Sequence, residues 1–396
     1  MESHLEQRFR KNLVERLVAS GASVHETPGP WGNTVRVTVP GGRRQWTLTP
    51  QEHIEGCRPD FVLRSSDTTV PTVVIFTDGR AYHATESINR LADDATKREI
   101  LRDSGYVVLG VSSRDVRAKA EDVAAPEWFS PNFVKQLISE PEFQTSPESY
   151  ARLAKGPVGW LVDWIYDPRP TEQTVVANAV PMFFGPTASM VSAPAEMSLD
   201  GIARTVLCDQ ELTGDRQVAV HRSGSLVVAI EEVGDRLVVA AVLDDRSGKL
   251  DEAHADAWRE WLRLSNALAL REWPTVITTL TRTQQAPVAA PASVDRPDLS
   301  AEWAAVWQDA AEGIERDLVV ALAGRAGLTT PAIGDEGPDG IMLDMAWPDR
   351  KSVVDVHKMP EQDRADLEAA GWTVLPPDPD VIATRLGTTT TEGVPG

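Results

Sequence analysis

The sequence predicts an α/β fold class, mixed sheets flanked by helices, and three observations carry that expectation. Short β-rich runs such as Thr72-Val73-Val74-Ile75-Phe76-Thr77 and Tyr106-Val107-Val108-Leu109-Gly110-Val111 alternate with stretches of helical periodicity. Turn residues, Asp78-Gly79 and Ser104-Gly105 among them, stand between these elements. The order of elements in the first 118 or so residues returns in the last hundred.

The elements follow in order. Leu5, Phe9, Leu13 and Leu17 recur at helical spacing and place Glu6 on an opening helix. Phe61-Val62-Leu63 reads as a strand entered by Pro59-Asp60, and the run ending at Asp78-Gly79 as a second. Asp93 to Arg102 is a helix with an acidic start, closed by Gly105 where a helix C-terminus favours glycine, and the strand from Tyr106 follows. The motifs then thin out, and Trp128, Trp160 and Trp164 read as core residues. From Gln217 to Leu243 three β-like runs form a meander with turns at Ser223-Gly224 and Gly234-Asp235. Glu252 to about Leu270 is an amphipathic helix that packs on this meander, and the Ala- and Pro-rich stretch after Gln284 is a linker. Trp303 to Ala323 reads as one helix, Gly340 to Trp347 and Ser352 to His357 as strands, Glu361 to Ala370 as a helix and Gly371 to Leu375 as a last strand.

These readings divide the chain into residues 1–125, a middle α+β domain at 126–283, a linker at 284–298 and a C-terminal domain at 299–396. With 396 residues and 42% hydrophobic content, sizeable cores are expected. No run of eighteen apolar residues and no signal-like start appears, and two cysteines, Cys57 and Cys208, match neither a zinc spacing nor a disulfide framework. A cytoplasmic protein with no membrane partner is the expectation. The net charge of −20 opposes phosphate binding, but its distribution is uneven. Residues 1–125 carry 17 Lys and Arg against 17 Asp and Glu, which leaves 22 against 42 in the remainder. The acidic excess lies outside the first domain.

Asp60, Asp78 and His83 carry the chemistry in this reading. A hard cation on a phosphate assists phosphodiester hydrolysis and takes carboxylate and carbonyl oxygens, which strand ends supply rigidly. Asp60 opens one strand and Asp78 closes the next, so adjacent strands bring both to a common cation, with His83 as base. The same residues also fit a plain turn after a buried strand and a surface histidine.

Residues 1 to about 118 resemble the PD-(D/E)XK nuclease superfamily, in particular the very-short-patch-repair endonucleases. Pro59-Asp60-Phe61 resembles the metal-binding element, Phe76-Thr77-Asp78-Gly79 with Tyr82-His83 the second strand and its histidine, and Lys97-Arg98 with Leu101, Gly105 and Val107 the closing helix and strand. The resemblance implies Mg²⁺, with Mn²⁺ as a substitute, held by Asp60 and the Thr77 carbonyl, to which the strand-end reading adds Asp78. The resemblance places His83 near the attacking water and Glu6 as the helix-one acid, while the basic residues of this region, Arg80, Lys97 and Arg98 among them, read either as a surface for DNA or as a solvated mixed-charge face. Arg80 stands where the wider superfamily has lysine, and arginine stabilises charge without acting as a base. Phe76 stands at the alternative acid position.

The C-terminal region reads as a degenerate, non-catalytic copy. Ala370-Gly371-Trp372-Thr373-Val374-Leu375 parallels Ser104-Gly105-Tyr106-Val107-Val108-Leu109, and Asp344, Asp355 and His357 suggest a second metal site, but Pro59-Asp60-Phe61 finds no counterpart there. Two functions are expected. One is a metal-dependent DNA endonuclease of bacterial DNA defence or repair, partnered by a helicase that belongs to another chain or to a missing portion, since no Walker-type motif is present. The other is a catalytically silent nuclease-fold protein that binds DNA or a protein partner.

Overall fold

The computed structural model describes the chain apart from residues 1–3, 43, 79–83, 86–87, 90, 119–122, 247–251, 285–298, 311–313, 326, 339–340, 357–358, 360 and 388–396. Two compact units make it up, residues 6–286 and residues 287–396. The first and middle regions read from the sequence therefore share one unit. The expected linker falls outside the described residues except for Gln284.

In the first unit, α1 (His4–Ala19) precedes β1 (Ser23–Gly29), β2 (Gly32–Thr38), β3 (Gln45–Pro50), β4 (Phe61–Ser65) and β5 (Val73–Asp78), and α2 (Leu91–Asp103) leads to β6 (Val107–Ser112). These strands form a six-stranded sheet in sequence order, antiparallel until the last pair, where β6 runs parallel to β5. A parallel neighbour needs a crossover, and α2 supplies it. The predicted stripe of α1 is buried, with the ring of Phe9 tilted against that of Phe61 at a centroid distance of 5.2 Å. On the opposite face Val62, Val74 and Val108 pack with Leu101 of α2. Gly105 closes α2 with φ of 85°, a left-handed conformation that glycine adopts without strain.

The middle region continues this unit. A small helical array includes α3 (Pro157–Tyr166), then come β7 (Ser189–Ala193), α4 (Leu199–Leu207), β8 (Arg216–Ser223), β9 (Leu226–Val233), β10 (Arg236–Leu243), α5 (Glu252–Ala267) and β11 (Thr275–Thr279). The predicted meander is antiparallel, and β11 returns parallel to β10 after α5. Period-2 alternation gives each face its own helix. Val228, Ile230, Val239 and Ala241 pack on Trp258, Trp261 and Leu262 of α5, whereas Val227, Ala229, Ala240 and Val242 pack on Ile202, Ala203 and Leu207 of α4.

The helix α5 also finishes the first sheet. Asn266 donates its Nδ2 to the Gly110 carbonyl and accepts the Gly110 N–H on Oδ1, both at 2.8 Å, so a side chain stands in for a further strand along β6. Arg102 donates to Ser265 at 2.5 Å, and Arg282 pairs with Glu99. Gly110 leaves little room: a Cβ there meets Asp78 Oδ2 at 2.7 Å and Leu262 Cδ2 at 2.8 Å. The expected result of Gly110→Ala is a loss of about 1–3 kcal/mol in chemical denaturation, the usual consequence of overpacking.

The second unit has α6 (Ala301–Asp309), α7 (Ile314–Ala323), β12 (Ala332–Glu336), β13 (Met342–Trp347), β14 (Ser352–Val354), α8 (Glu361–Ala369), β15 (Thr373–Leu375) and α9 (Pro379–Leu386). One predicted helix is thus two. The first ends at Asp309 because Ala310 leaves the helical region, with ψ of 140°. The strand β12 is absent from the sequence reading. Its sheet runs in sequence order, antiparallel until β15 lies parallel to β14, so it repeats the closing pattern of the first sheet.

Candidate active site

The loop 51–60 between β3 and β4 is clasped at its neck by Gln51 N–H donating to the Asp60 carbonyl at 2.9 Å. Inside it Ile54 and Cys57 exchange backbone bonds across Glu55 and Gly56, whose φ values of 45° and 77° meet the demand of a type I′ turn. Asp60 is set at the mouth of this loop, one residue before β4.

Thr77, on the neighbouring strand, holds that carboxylate. Its N–H donates to Asp60 Oδ2 at 2.5 Å and its hydroxyl to the same oxygen at 2.9 Å. Hydrogen bonds to a carboxylate favour its ionised form. Glu6, in the first turn of α1 and 6% exposed, comes to the same place, linked by the amide of Gln51. Gln51 Nε2 lies 3.0 Å from Glu6 Oε2 and 3.5 Å from Asp60 Oδ1. The helix N-terminus also favours the negative charge of Glu6. Three of the sequence-assigned residues, Glu6, Asp60 and Thr77, are therefore gathered at one point.

Asp78 is not with them. Successive residues of a strand face opposite sides, so with Thr77 turned to Asp60, Asp78 enters the α2 face. There its Oδ1 pairs with Arg98 at 2.5 Å, and both side chains are under 5% exposed. The Arg98 guanidinium also lies over the rings of Phe76 and Trp261, at 5.2 and 6.0 Å. This corrects two assignments. Asp78 does not share the cation position of Asp60, and Arg98 is too buried to contact DNA, because each neutralises the other inside the joint between α2, β6 and α5. Lys97 is partly exposed and pairs with Asp93 at 2.8 Å. Arg80 and His83 lie outside the described residues.

Gln51 is the residue that sequence reading missed. Its φ of 50° is rare for a residue with a side chain, and such strain concentrates at functional sites. No spacing or composition around it announces this conformation.

The second unit supplies the counterpart of Asp60 that the sequence did not show. Val73 pairs with Val107 after Gly105-Tyr106, and Ser352 pairs with Thr373 after Gly371-Trp372. In that frame the antiparallel registers, Phe61 with Ile75 and Met345 with Val354, bring Asp344 to the place of Asp60. The hydrogen bond repeats as well: Val356 N–H donates to Asp344 Oδ2 at 2.9 Å, as Thr77 does to Asp60. Counting back from the glycines, Arg364 takes the place of Arg98 and Leu367 that of Leu101, both leucines being fully buried. Buried Glu315, Leu318 and Leu322 of α7 repeat the spacing of Glu6, Phe9 and Leu13. Asp355 differs from its counterpart Phe76, and its carboxylate is engaged by Arg364 and by the Met359 N–H. His357 lies outside the described residues.

Comparison of the chain with protein-family models, curated proteins and solved structures gives no match. Among the described residues no group of three or more His, Cys, Asp or Glu side chains is arranged to hold a metal, and no helix is long and apolar enough to cross a membrane.

Proposed function

We propose that the chain is a metal-dependent DNA endonuclease whose centre is Asp60, Glu6 and Thr77, acting in bacterial DNA defence or repair beside a helicase. The observation that carries this reading is the convergence of two carboxylates from separate elements, Glu6 on a helix and Asp60 at a strand start, on one amide, with Asp60 fixed by Thr77. Like charges repel, so the meeting of two acids is costly, and a cation position accounts for it.

The donor set fits Mg²⁺. Two carboxylates and a strand-end carbonyl are hard oxygen donors, and Mg²⁺ takes few protein ligands because it keeps several waters. Asp60, Glu6 and the Thr77 carbonyl would hold it, and when bound it supplies charge neutralisation on the phosphate and an acidified water. Thr77 aims Asp60 through two hydrogen bonds to one oxygen. Glu6 adds the second negative charge from a rigid helix. By the resemblance, His83 is the base that takes the proton of the attacking water. The helicase partner rests on resemblance alone.

Incubation of the purified chain with supercoiled and single-stranded DNA in Mg²⁺, Mn²⁺ or EDTA tests the reading. Cutting that requires the metal is the expected outcome. Absence of cutting on every substrate, with and without candidate helicases, leaves the binding function instead.

The second unit is assigned no catalysis, because Asp355 is already matched by Arg364 and the Met359 N–H. Asp344→Ala is expected to leave cleavage within about twofold of wild type, as for a change outside a working site. A cleavage defect as deep as that of an Asp60 variant would move the catalytic centre to this unit.

A further inference from the structure

We infer that Gln51 is a metal-exchanged positioning residue of this site: its amide holds Glu6 and Asp60 together when no cation is present, and its oxygen faces the cation when one binds. The inference rests on the reading of Glu6 and Asp60 as cation ligands. It goes beyond that reading by naming a residue that neither the motif nor the resemblance includes.

The argument begins with charge. Two carboxylates brought to one place repel, and a partly buried site strengthens that repulsion. A cation removes it in the loaded protein, so something else must do so in the empty one. The Gln51 amide is placed to act in that way, with Nε2 at 3.0 Å from Glu6 Oε2 and 3.5 Å from Asp60 Oδ1. An amide N–H₂ carries two donors, one for each acid. It brings partial positive charge without a full one, so it opposes an incoming cation less than an ammonium in its place would.

The same group can serve the loaded state. A primary amide has a donor end and an acceptor end, exchanged by a half-turn of its terminal torsion, which is broad for glutamine. With a cation between the acids, the donor end no longer has a purpose and the oxygen end becomes a neutral hard ligand. Lysine in this position gives only donors, and glutamate only acceptors. Glutamine gives both.

The backbone supports a functional reason for the residue. Position 51 has φ of 50°, where a side chain is strained and glycine is not. The strain is retained although the neck hydrogen bond from its N–H to the Asp60 carbonyl asks nothing of the side chain. What glycine lacks is the amide that reaches Glu6 and Asp60.

Two substitutions separate this role from simple packing, because both keep the length and the backbone strain of glutamine. Gln51→Met removes both ends of the amide, and Gln51→Glu keeps oxygen and removes the donors. Mn²⁺ binding by calorimetry is expected to weaken about 10- to 100-fold in Gln51→Met, the range for groups that orient metal ligands. In Gln51→Glu it is expected to persist, while the melting temperature in EDTA falls. Mn²⁺ restores the melting temperature of Gln51→Glu and raises that of Gln51→Met far less. A purely structural residue lowers the melting temperature in both variants with metal affinity unchanged, and that result overturns the inference. Asp60→Ala serves as the reference: if wild type and Asp60→Ala bind Mn²⁺ equally weakly, the cation site itself fails, whereas binding lost in Asp60→Ala and kept in Gln51→Met removes Gln51 alone.

Discussion

Asp60→Ala is expected to lose metal-dependent DNA cleavage by more than about 100-fold, beyond the range seen when only an outer-shell partner of a metal is removed. The carboxylate is one of two at the proposed cation position, and Thr77 directs its N–H and hydroxyl there. Folding should be little affected. The side chain is partly exposed at a loop mouth, the Thr77 donors can turn to water, and removing Asp60 relieves repulsion with Glu6. The measurement is a plasmid-nicking time course in Mg²⁺ with a melting curve alongside. Wild-type rates in the variant remove Asp60 from the mechanism, and a collapsed melting curve makes its role structural.

The largest effect on stability is expected at Arg98. Arg98→Leu leaves Asp78 without its guanidinium partner in a place where both side chains are under 5% exposed. Breaking a buried pair from one side typically destabilises by about 3–5 kcal/mol, because the remaining charge loses the opposite charge that offset its desolvation. The double variant Asp78→Asn with Arg98→Leu is expected to recover a large part of that loss. Urea denaturation of the four proteins gives the coupling directly. Equal stability of wild type and Arg98→Leu contradicts a stabilising role for this pair between α2 and β5.

Much of the architecture is legible in the sequence because it is written in local periodicity. Leu5, Phe9, Leu13 and Leu17 define α1, the β-branched runs define β4, β5 and β6, and Gly105 marks the end of α2. The meander β8–β10 and the following helix are equally plain from their turns and alternation. Local patterns do not report register, and register decides the site. Thr77 and Asp78 are adjacent in sequence, yet one faces Asp60 and the other Arg98 across the thickness of the sheet. Reading Asp78 as a metal ligand treated a strand end as a single point.

The same limit hides Asp344. Its likeness to Asp60 lies in strand pairing and one hydrogen bond from the Val356 amide, and its neighbours Leu343 and Met345 differ in residue type from Pro59 and Phe61. Gln51 is hidden for a different reason. Its backbone conformation and its reach to two acids from separate elements come from tertiary structure, which overrides local preference. The fusion of the middle region with the first sheet likewise rests on partners distant in sequence: Asn266 pairs with a backbone more than 150 positions away, Arg102 with Ser265 and Arg282 with Glu99.

The central claim is that Glu6 and Asp60 share one cation. Crystals soaked in Mn²⁺ and measured at its absorption edge test it most directly: a single anomalous peak bridging the two carboxylates beside the Thr77 carbonyl is the expected result, and a peak only elsewhere, or none at millimolar Mn²⁺, contradicts it.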